Sequence, residues 1–303
     1  MRIDNLDLNL IVALEAIVRH RSVSAAAEEL GLTQPAISRA LGRLRDHFND
    51  RIVILTDRQM VPTEFGQHLF ELSRRLLNET RSFAQIRPDF DPRSAKREFT
   101  VVASDFVIRV LFTKVLPRLA VEAPGISLRF IMIDTASEAM FARGEIDFCV
   151  APDMVLDTEH PYAPLFRDEF VCIAWRDHPD IGDTLDAKTY FAQAHITTAF
   201  GVQGRDSHFE RFIKEHHIEL KVAVALPNFV LLPECIVGTP YLATIHERMA
   251  RLLPPTLPLK IFPVPIAVPA LVENLQWHRL RHHDKSTIWM RNFMLETARE
   301  LDR

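Results

Sequence analysis

At 303 residues the chain is long for one hydrophobic core and calls for two or three domains, and 48% hydrophobic content excludes wholesale disorder. A net charge of −4 excludes bulk basicity, so any contact with nucleic acid has to be local. Cys149, Cys172 and Cys235 are odd in number, widely spaced and set among apolar residues, which argues against a disulfide framework or a zinc site and for core thiols in a reducing compartment. No apolar run approaches the roughly 18 residues of a membrane span, and the N-terminus carries Asp4 and Asp7 in an amphipathic pattern. A cytoplasmic protein with no membrane partner is expected.

Leu6 to His20 comes first, with Leu10, Leu14, Ile17 and Val18 on one helical face. Ser22 to Phe48 then lays out as two short helices meeting at a glycine. Small residues at Ala25, Ala26 and Ala27 permit close helix approach, Leu30 closes the apolar face, and Gly31 supplies the positive φ that ends a helix sharply. Thr33 follows as an N-cap and Pro35 lies in the first turn, where its missing N–H breaks no bond. Ile37, Leu41 and Leu44 recur at helical spacing as one buried face, leaving Gln34, Ser38, Arg39 and Arg43 on the others. This is a helix-turn-helix whose second helix suits the major groove, since Gln pairs with the adenine edge and Arg with the guanine edge. Ser24, Thr33, Gln34, Pro35, Ser38, Arg39 and Arg43 are the candidate DNA contacts. Up to Pro62 eight arginines balance eight acids, but between Thr33 and Arg58 five arginines face three acids.

After Phe48, Arg51 to Leu55 and Met60-Val61 read as a β wing turning at Asp57 to Gln59, with Arg58 at the tip for a flanking phosphate or minor groove. Residues 1–62 thus form a winged unit. Pro62-Thr63 opens a long helix on which Phe65, Leu69, Leu72, Leu76 and Phe83 make an apolar seam, one that this helix has no domain of its own to bury. Pairing with a second copy through Phe65, Leu69, Leu72 and Leu76 follows. Pro88, Pro92 and the polar stretch to Arg97 form a hinge, closing a linker over 63–97.

Beyond it strands and helices alternate. Strands fall at Phe99–Ala103, Ser127–Ile133 and Ile146–Ala151, with helices at Phe106–Leu119 and Ala136–Arg143, a βαβαβ order and hence a mostly parallel sheet. Strands at Glu169–Trp175, His195–Ala199, Leu220–Ala225 and Tyr241–Ile245 supply a second lobe, with helices near Lys188–Gln193, Ser207–His216 and Pro227–Val237. Leu271–Arg279 and the helix Thr287–Leu301 return to the first. Lobe 1 is therefore about 98–165 plus 270–303, and lobe 2 about 166–269. Two α/β lobes joined by two crossovers leave a cleft, and ligands of such sheets sit at strand carboxyl ends. Ser104 and Asp105 open a helix there, as caps and as an N-terminus able to hold polar ligand groups. Phe106, Val107, Ala151, Phe200 and Phe229 are the candidates for gripping a flat ring. His278, His282 and His283 have no acidic or sulfur partner at metal spacing, so no metal and no cofactor is expected.

The phrase AAAEELGLTQPAISRALGRLRDHF resembles the DNA-binding signature of the LysR-type transcriptional regulators. FDPRSAKREFTVVASD, RGEIDFCVAP and LQWHRLRHHDKSTIWMR are similar to one branch of that family, which holds flavonoid-responsive nodulation regulators and regulators of naphthalene, salicylate and nitroaromatic catabolism. The resemblance implies an all-α winged helix-turn-helix, a dimerising linker helix and a two-lobed α/β effector domain similar to a periplasmic binding protein. It further implies a homodimer or homotetramer on a double-stranded operator, a small-molecule effector and contact with RNA polymerase. It leaves the effector unidentified. The alternative, a helix-turn-helix fused to a catalytic α/β domain, finds no G-x-S-x-G elbow, phosphate-binding glycine loop or H-E-x-x-H in the sequence.

Overall fold

Hydrophobic spacing near the N-terminus produces helices and beyond residue 97 produces strands, and the chain divides accordingly into two units, Met1–Ile86 and Arg87–Arg303. The structure is a computed structural model that describes residues 2–3, 6–56, 59–85, 90–200 and 205–302.

In the first unit β1 (Arg2–Ile3) pairs with β2 (Leu6–Asp7) ahead of α1 (Asn9–His20), α2 (Val23–Glu29) and α3 (Gln34–Phe48). Ser22 caps α2 by accepting the Ala25 N–H at 3.3 Å. Gly31 takes φ +62° in the turn, as its place between the helices requires. Leu14, Ile17, Ala26, Ile37, Leu41 and Leu44 interlock as one core beneath both helices of the motif. The wing pairs β3 (Val53–Thr56) with β4 (Gln59–Pro62) antiparallel; its expected tip residue, Arg58, lies outside the described residues.

The junction from wing to α4 (Glu64–Gln85) is tightly specified. Ile52 is fully buried with φ +62°, a left-handed conformation that a β-branched residue adopts only under constraint. Its N–H donates to Asp50 Oδ1 at 2.5 Å and its carbonyl accepts the Thr63 N–H at 2.9 Å. Thr63 caps α4 by accepting the Gly66 N–H at 2.9 Å, and a Cβ on Gly66 would sit 1.9 Å from the Ile52 oxygen. On α4 itself the expected seam splits. Leu69, with Phe70, packs against the unit's own core, while Phe65, Leu72 and Leu76 are 39%, 42% and 41% exposed.

In the second unit Arg97 pairs with Asp147 at 3.0 Å and with Asp284 at 2.5 Å, pinning the beginning of its first strand to its C-terminal segment. In chain order the elements are β5 (Arg97–Val102), α5 (Asp105–Val107), α6 (Thr113–Glu122), β6 (Ile126–Ile131), α7 (Thr135–Ala142), β7 (Phe148–Pro152) and β8 (Tyr162–Asp168). The chain then crosses to β9 (Phe170–Trp175), α8 (Ala187–Ala192), β10 (Ala194–Phe200), β11 (Arg205–Asp206), α9 (His208–Glu215), β12 (Lys221–Leu226), α10 (Leu232–Ile236), β13 (Tyr241–His246), α11 (Glu247–Arg251) and β14 (Leu259–Pro263). It returns in β15 (Leu271–Trp277) and α12 (Lys285–Arg299).

Lobe 1 is a five-stranded sheet of order β6-β5-β7-β15-β8, parallel through β7 and antiparallel at β15. In lobe 2, β11-β10-β13-β9-β14 follow one another and β12 pairs with β10. Three features depart from the sequence reading. Strand β8 carries lobe 1 through Asp168, so the crossover falls after that residue and not near 165. β14, in the Pro-rich stretch from Pro254 to Pro269 that the sequence reading leaves without an element, pairs with β9 at the sheet's edge and carries a single proline, Pro263, at its last position. The helix expected over Phe106–Leu119 is interrupted by a π-helical turn at Ile108–Phe112, beside which Thr113 Oγ1 donates back to the Arg109 carbonyl at 2.8 Å. One core runs unbroken through both lobes, from Phe99 and Phe148 to Ile173 and Ile245. Of the cysteines expected in the core, Cys172 is buried, Cys149 intermediate and Cys235 exposed on α10.

Candidate functional site

Two sites answer to the sequence. On α3 the burial of Ile37, Leu41 and Leu44 turns Gln34, Pro35, Ser38, Arg39 and Arg43 to the exposed side, and Ser24 of α2 and Thr33 stand exposed beside them. Thr33 occupies the N-cap position, yet its hydroxyl makes no capping bond; its carbonyl receives the Ala36 and Ile37 N–H groups at 2.9 and 3.2 Å. Among the described residues Arg39 makes no ion pair or hydrogen bond, so its guanidinium is available in full. Arg43 differs, since Nη2 pairs with Asp7 Oδ2 at 3.2 Å. Arg45 faces inward and donates to the Arg51 and Val53 carbonyls, both at 2.8 Å, fixing the angle between α3 and the wing.

In the second unit a cavity of about 60 Å³ lies where the strands of both lobes end. Ser104 follows β5, Met132 and Ile133 follow β6, and Pro152 closes β7; across from them Phe200 ends β10, Phe229 follows β12 and His246 ends β13. This is the carboxyl-end placement that parallel sheets impose on ligand sites. Leu271 and Glu273 of β15 complete one wall, and Asp206, Ser207 and His208 another.

Of the seven residues expected to grip a ligand, Ser104, Phe200 and Phe229 line this cavity, with the two phenyl rings edge to face at 5.1 Å between centroids. The other four lie behind it. Ser104, not Asp105, caps the helix by accepting the Val107 N–H at 3.2 Å. Asp105 reaches across to lobe 2 and accepts the Val230 N–H at 2.7 Å through Oδ2, leaving Oδ1 buried without a partner. Burial raises its pKa against the opposing pull of that N–H. Phe106 is fully buried and stacks on His246 at 3.8 Å with a 15° interplanar angle, so it seals the lobes together. Val107 and Ala151 are fully buried core residues. Their positions were chosen for following a strand, and burial behind the first layer cannot be read from that.

Beside Ser104, the polar lining of the cavity comes from residues the sequence did not single out. Glu273 is 3% exposed, its Oε2 has no partner, and burial pushes its pKa up to about 8, helped by the negative charges of Asp168 and Asp153. His246 is likewise buried with Nδ1 unpartnered, and burial, reinforced by His208, lowers its pKa to about 3. A charged residue at the buried end of the run LVENLQW was the available signal, since an ionisable group on an otherwise apolar strand has to be neutral, paired or functional.

Two matches in sequence coincide with these two units: residues 8–67 match the bacterial regulatory helix-turn-helix protein, lysR family, and residues 92–299 match the LysR substrate binding domain. The chain belongs to the LysR family of transcriptional regulators. Curated relatives of this regulator extend over its whole length. Nodulation protein D 3 of Rhizobium leguminosarum bv. phaseoli is 35% identical over 301 residues, 99% of this chain and 100% of that one. Nodulation protein D 1 of Bradyrhizobium diazoefficiens is 34% identical over 298 residues, 98% and 95% of the two chains. Among solved structures, a probable transcriptional regulator from Pseudomonas aeruginosa is 30% identical with a TM-score of 0.65, covering 95% of this chain and 96% of its own. The LysR regulator CbnR, at 15% identity, shares the fold with a TM-score of 0.59 over 98% and 100% of the chains. The regulator thus pairs a DNA-binding helix-turn-helix with an effector-binding domain and is not an enzyme. No helix among the described residues is long and apolar enough to cross a membrane.

Proposed function

We propose that this regulator reads a double-stranded operator with Gln34, Ser38 and Arg39 on base edges, with Ser24, Thr33, Pro35, Arg43 and Arg58 placed along the flanking backbone. It does so as a homodimer, or a homotetramer built from it, and works on RNA polymerase at the promoter from the cytoplasm, without a cofactor. Its control is a small effector of aromatic character held between the lobes. The observation that carries this reading is the cavity at the strand ends, lined by two phenyl rings and by a buried carboxyl with an unpartnered oxygen.

The cavity's size adds a mechanism. At about 60 Å³ it is smaller than the roughly 150 Å³ apolar cavity that accepts one benzene ring, so an effector enters only as the lobes part. Parting them stretches the Asp105–Val230 hydrogen bond and unstacks Phe106 from His246. An effector then biases two lobe arrangements through its different affinity for each, and the DNA-binding unit follows. CbnR, a LysR regulator solved in complex with its target DNA, supports DNA as the partner.

The assembly rests on α4, whose Phe65, Leu72 and Leu76 present an exposed stripe. Changing Leu72 and Leu76 together to Glu should give monomers by sedimentation that retain only non-specific, salt-sensitive DNA affinity. A dimer that survives both changes places the interface elsewhere. Operators selected from random duplexes with and without small aromatics test the remainder; a footprint indifferent to every effector argues against coupling.

A further inference from the structure

A second cavity, of about 290 Å³, lies where α6 of lobe 1, α11 of lobe 2 and the residues after α12 come together. Its walls continue from the two sides of the stack that seals the lobes. Val110 and Lys114 stand on the segment that runs on from Phe106, and Arg248, Arg251 and Leu252 on the one that runs on from His246. Three basic side chains thus line it, Lys114, Arg248 and Arg251, against one acid, Glu300, which Arg118 already holds at 3.5 Å.

These cations are fixed in different ways. Arg248 reaches across to lobe 1, where Nη2 donates to the Arg167 carbonyl at 3.0 Å and Nη1 to the Leu301 carbonyl at 2.7 Å, so its guanidinium is locked in the wall. Arg251 makes one ion pair, from Nη2 to Glu247 Oε1 of its own helix at 2.8 Å. Lys114 is exposed and makes no hydrogen bond or ion pair among the described residues. Like charges brought by two lobes to one cavity repel, and a doubly charged anion placed between them reverses the sign of that interaction. Arginine offers a planar fork to a pair of anionic oxygens, lysine adds a point charge, and Val110 and Leu252 supply apolar surface beside them.

We propose that this cavity is a second ligand site, separate from the one at the strand ends, which takes a small dianion between Lys114 of lobe 1 and Arg251 of lobe 2 and so fastens the lobes together. Inorganic phosphate and a short dicarboxylate share the paired anionic oxygens that the site requires. The fastening rests on the lobe parting proposed above: a ligand that favours the closed arrangement opposes entry of one that needs it open.

Calorimetric titration of the full-length protein at pH 7 and constant ionic strength should show saturable binding of phosphate or of succinate and none of 1,4-diaminobutane; whichever anion binds more tightly identifies the source. Lys114→Gln and Arg251→Gln should each weaken that binding tenfold or more, about the worth of one charge-assisted hydrogen bond. Lys114→Arg, which keeps the charge, should retain it within about threefold, a rescue that a merely structural lysine does not give. Phe229→Ala should leave it unchanged. Exchange of the Val230 N–H, which donates across the lobes to Asp105, should slow when the anion is bound. Absence of saturable binding by both anions, equal binding of the diamine, or binding that both Gln variants retain overturns the site. Binding abolished by Phe229→Ala places the anion in the cavity at the strand ends and overturns a separate site. Binding that leaves Val230 exchange unchanged upholds the site and overturns the fastening.

Discussion

In the N-terminal unit the polar side chains assigned to a ligand stand on the exposed face of a helix whose opposite face is fully committed to the core. Gln34, Ser38 and Arg39 are exposed, and Ile37, Leu41 and Leu44 beneath them are 0%, 4% and 1% exposed. In the C-terminal unit the arrangement is reversed. Glu273, His246 and Asp105 are withdrawn from water among phenyl rings, each with one polar atom unpartnered. A duplex brings its own high charge and meets exposed cations without asking the protein to move, so exposure costs little. A small ligand has only its shape and a few polar groups to offer, and the cavity at the strand ends, at about 60 Å³, has to open to admit one. The first unit should therefore lose function without losing stability, and the second should show the two losses coupled.

The largest test of that contrast is Phe106→Ala. Removing a fully buried ring that stacks on His246 and packs near Phe166 and Phe229 should cost about 3–5 kcal/mol. Calorimetry should show the effector unit melting earlier while the transition of residues 1–86 stays in place; a shift of both would show the units melting as one.

Next in size is the pH dependence. Glu273 in the folded chain keeps its proton up to about pH 8, whereas the unfolded chain releases it near 4.5. Between those values the folded form binds the extra proton, so its contribution to stability is full below pH 4.5 and lost as pH rises through 8. Glu210 and Asp168, both pushed up by burial to about 7, slope the same way, while His246 and His278, lowered by burial to about 3 and 4, cost stability as pH falls below 6.5. Glu273→Gln should flatten the fall of stability between about pH 4.5 and 8 by an amount on the order of a few kcal/mol across that window. An unchanged fall in thermal melts from pH 5 to 9 would remove Glu273 from the account.

Gly66→Ala probes the first unit at the junction of its wing with α4. The added Cβ would meet the Ile52 carbonyl at 1.9 Å, and backbone on both sides leaves no flexible group to yield. A loss of about 1–3 kcal/mol should follow, with operator affinity falling and effector binding intact. Equal melting of variant and wild type would mean that α4 and the wing are free to separate.

Arg39→Ala should have the smallest effect on stability and a clear one on recognition. With no partner among the described residues to lose, melting should not change, while binding should weaken by about 1–3 kcal/mol with specificity relaxed at one base pair. Arg43→Ala should weaken binding less and equally for all sequences, because Asp7 already competes for its guanidinium. A quantitative binding series across single-base operator variants separates the two; identical profiles would deny Arg39 a role on base edges.

The helix-turn-helix was legible because every signal for it is local. Alanine spacing, Gly31, Pro35 and the Ile37-Leu41-Leu44 repeat lie within one short stretch, and they fix both the turn and the exposed face. The alternation of strands beyond Arg97 was legible for the same reason, and it pointed to the strand ends, where the cavity lies. What escaped depends on pairs distant in sequence. Glu273 enters the cavity only because β15 returns between β7 and β8, and Asp105 became a tie between lobes because Val230, 125 residues away, presents its N–H there. Leu69 looked like a dimer contact by spacing, yet the core of the N-terminal unit claims it, since a heptad pattern gives a face and not the partner that covers it. Sequence alone determined the elements, their apolar faces and the kind of protein, because periodicity and turn chemistry act over a few residues. Only the tertiary structure decided which polar groups are left dry and unpartnered, because that depends on everything packed around them.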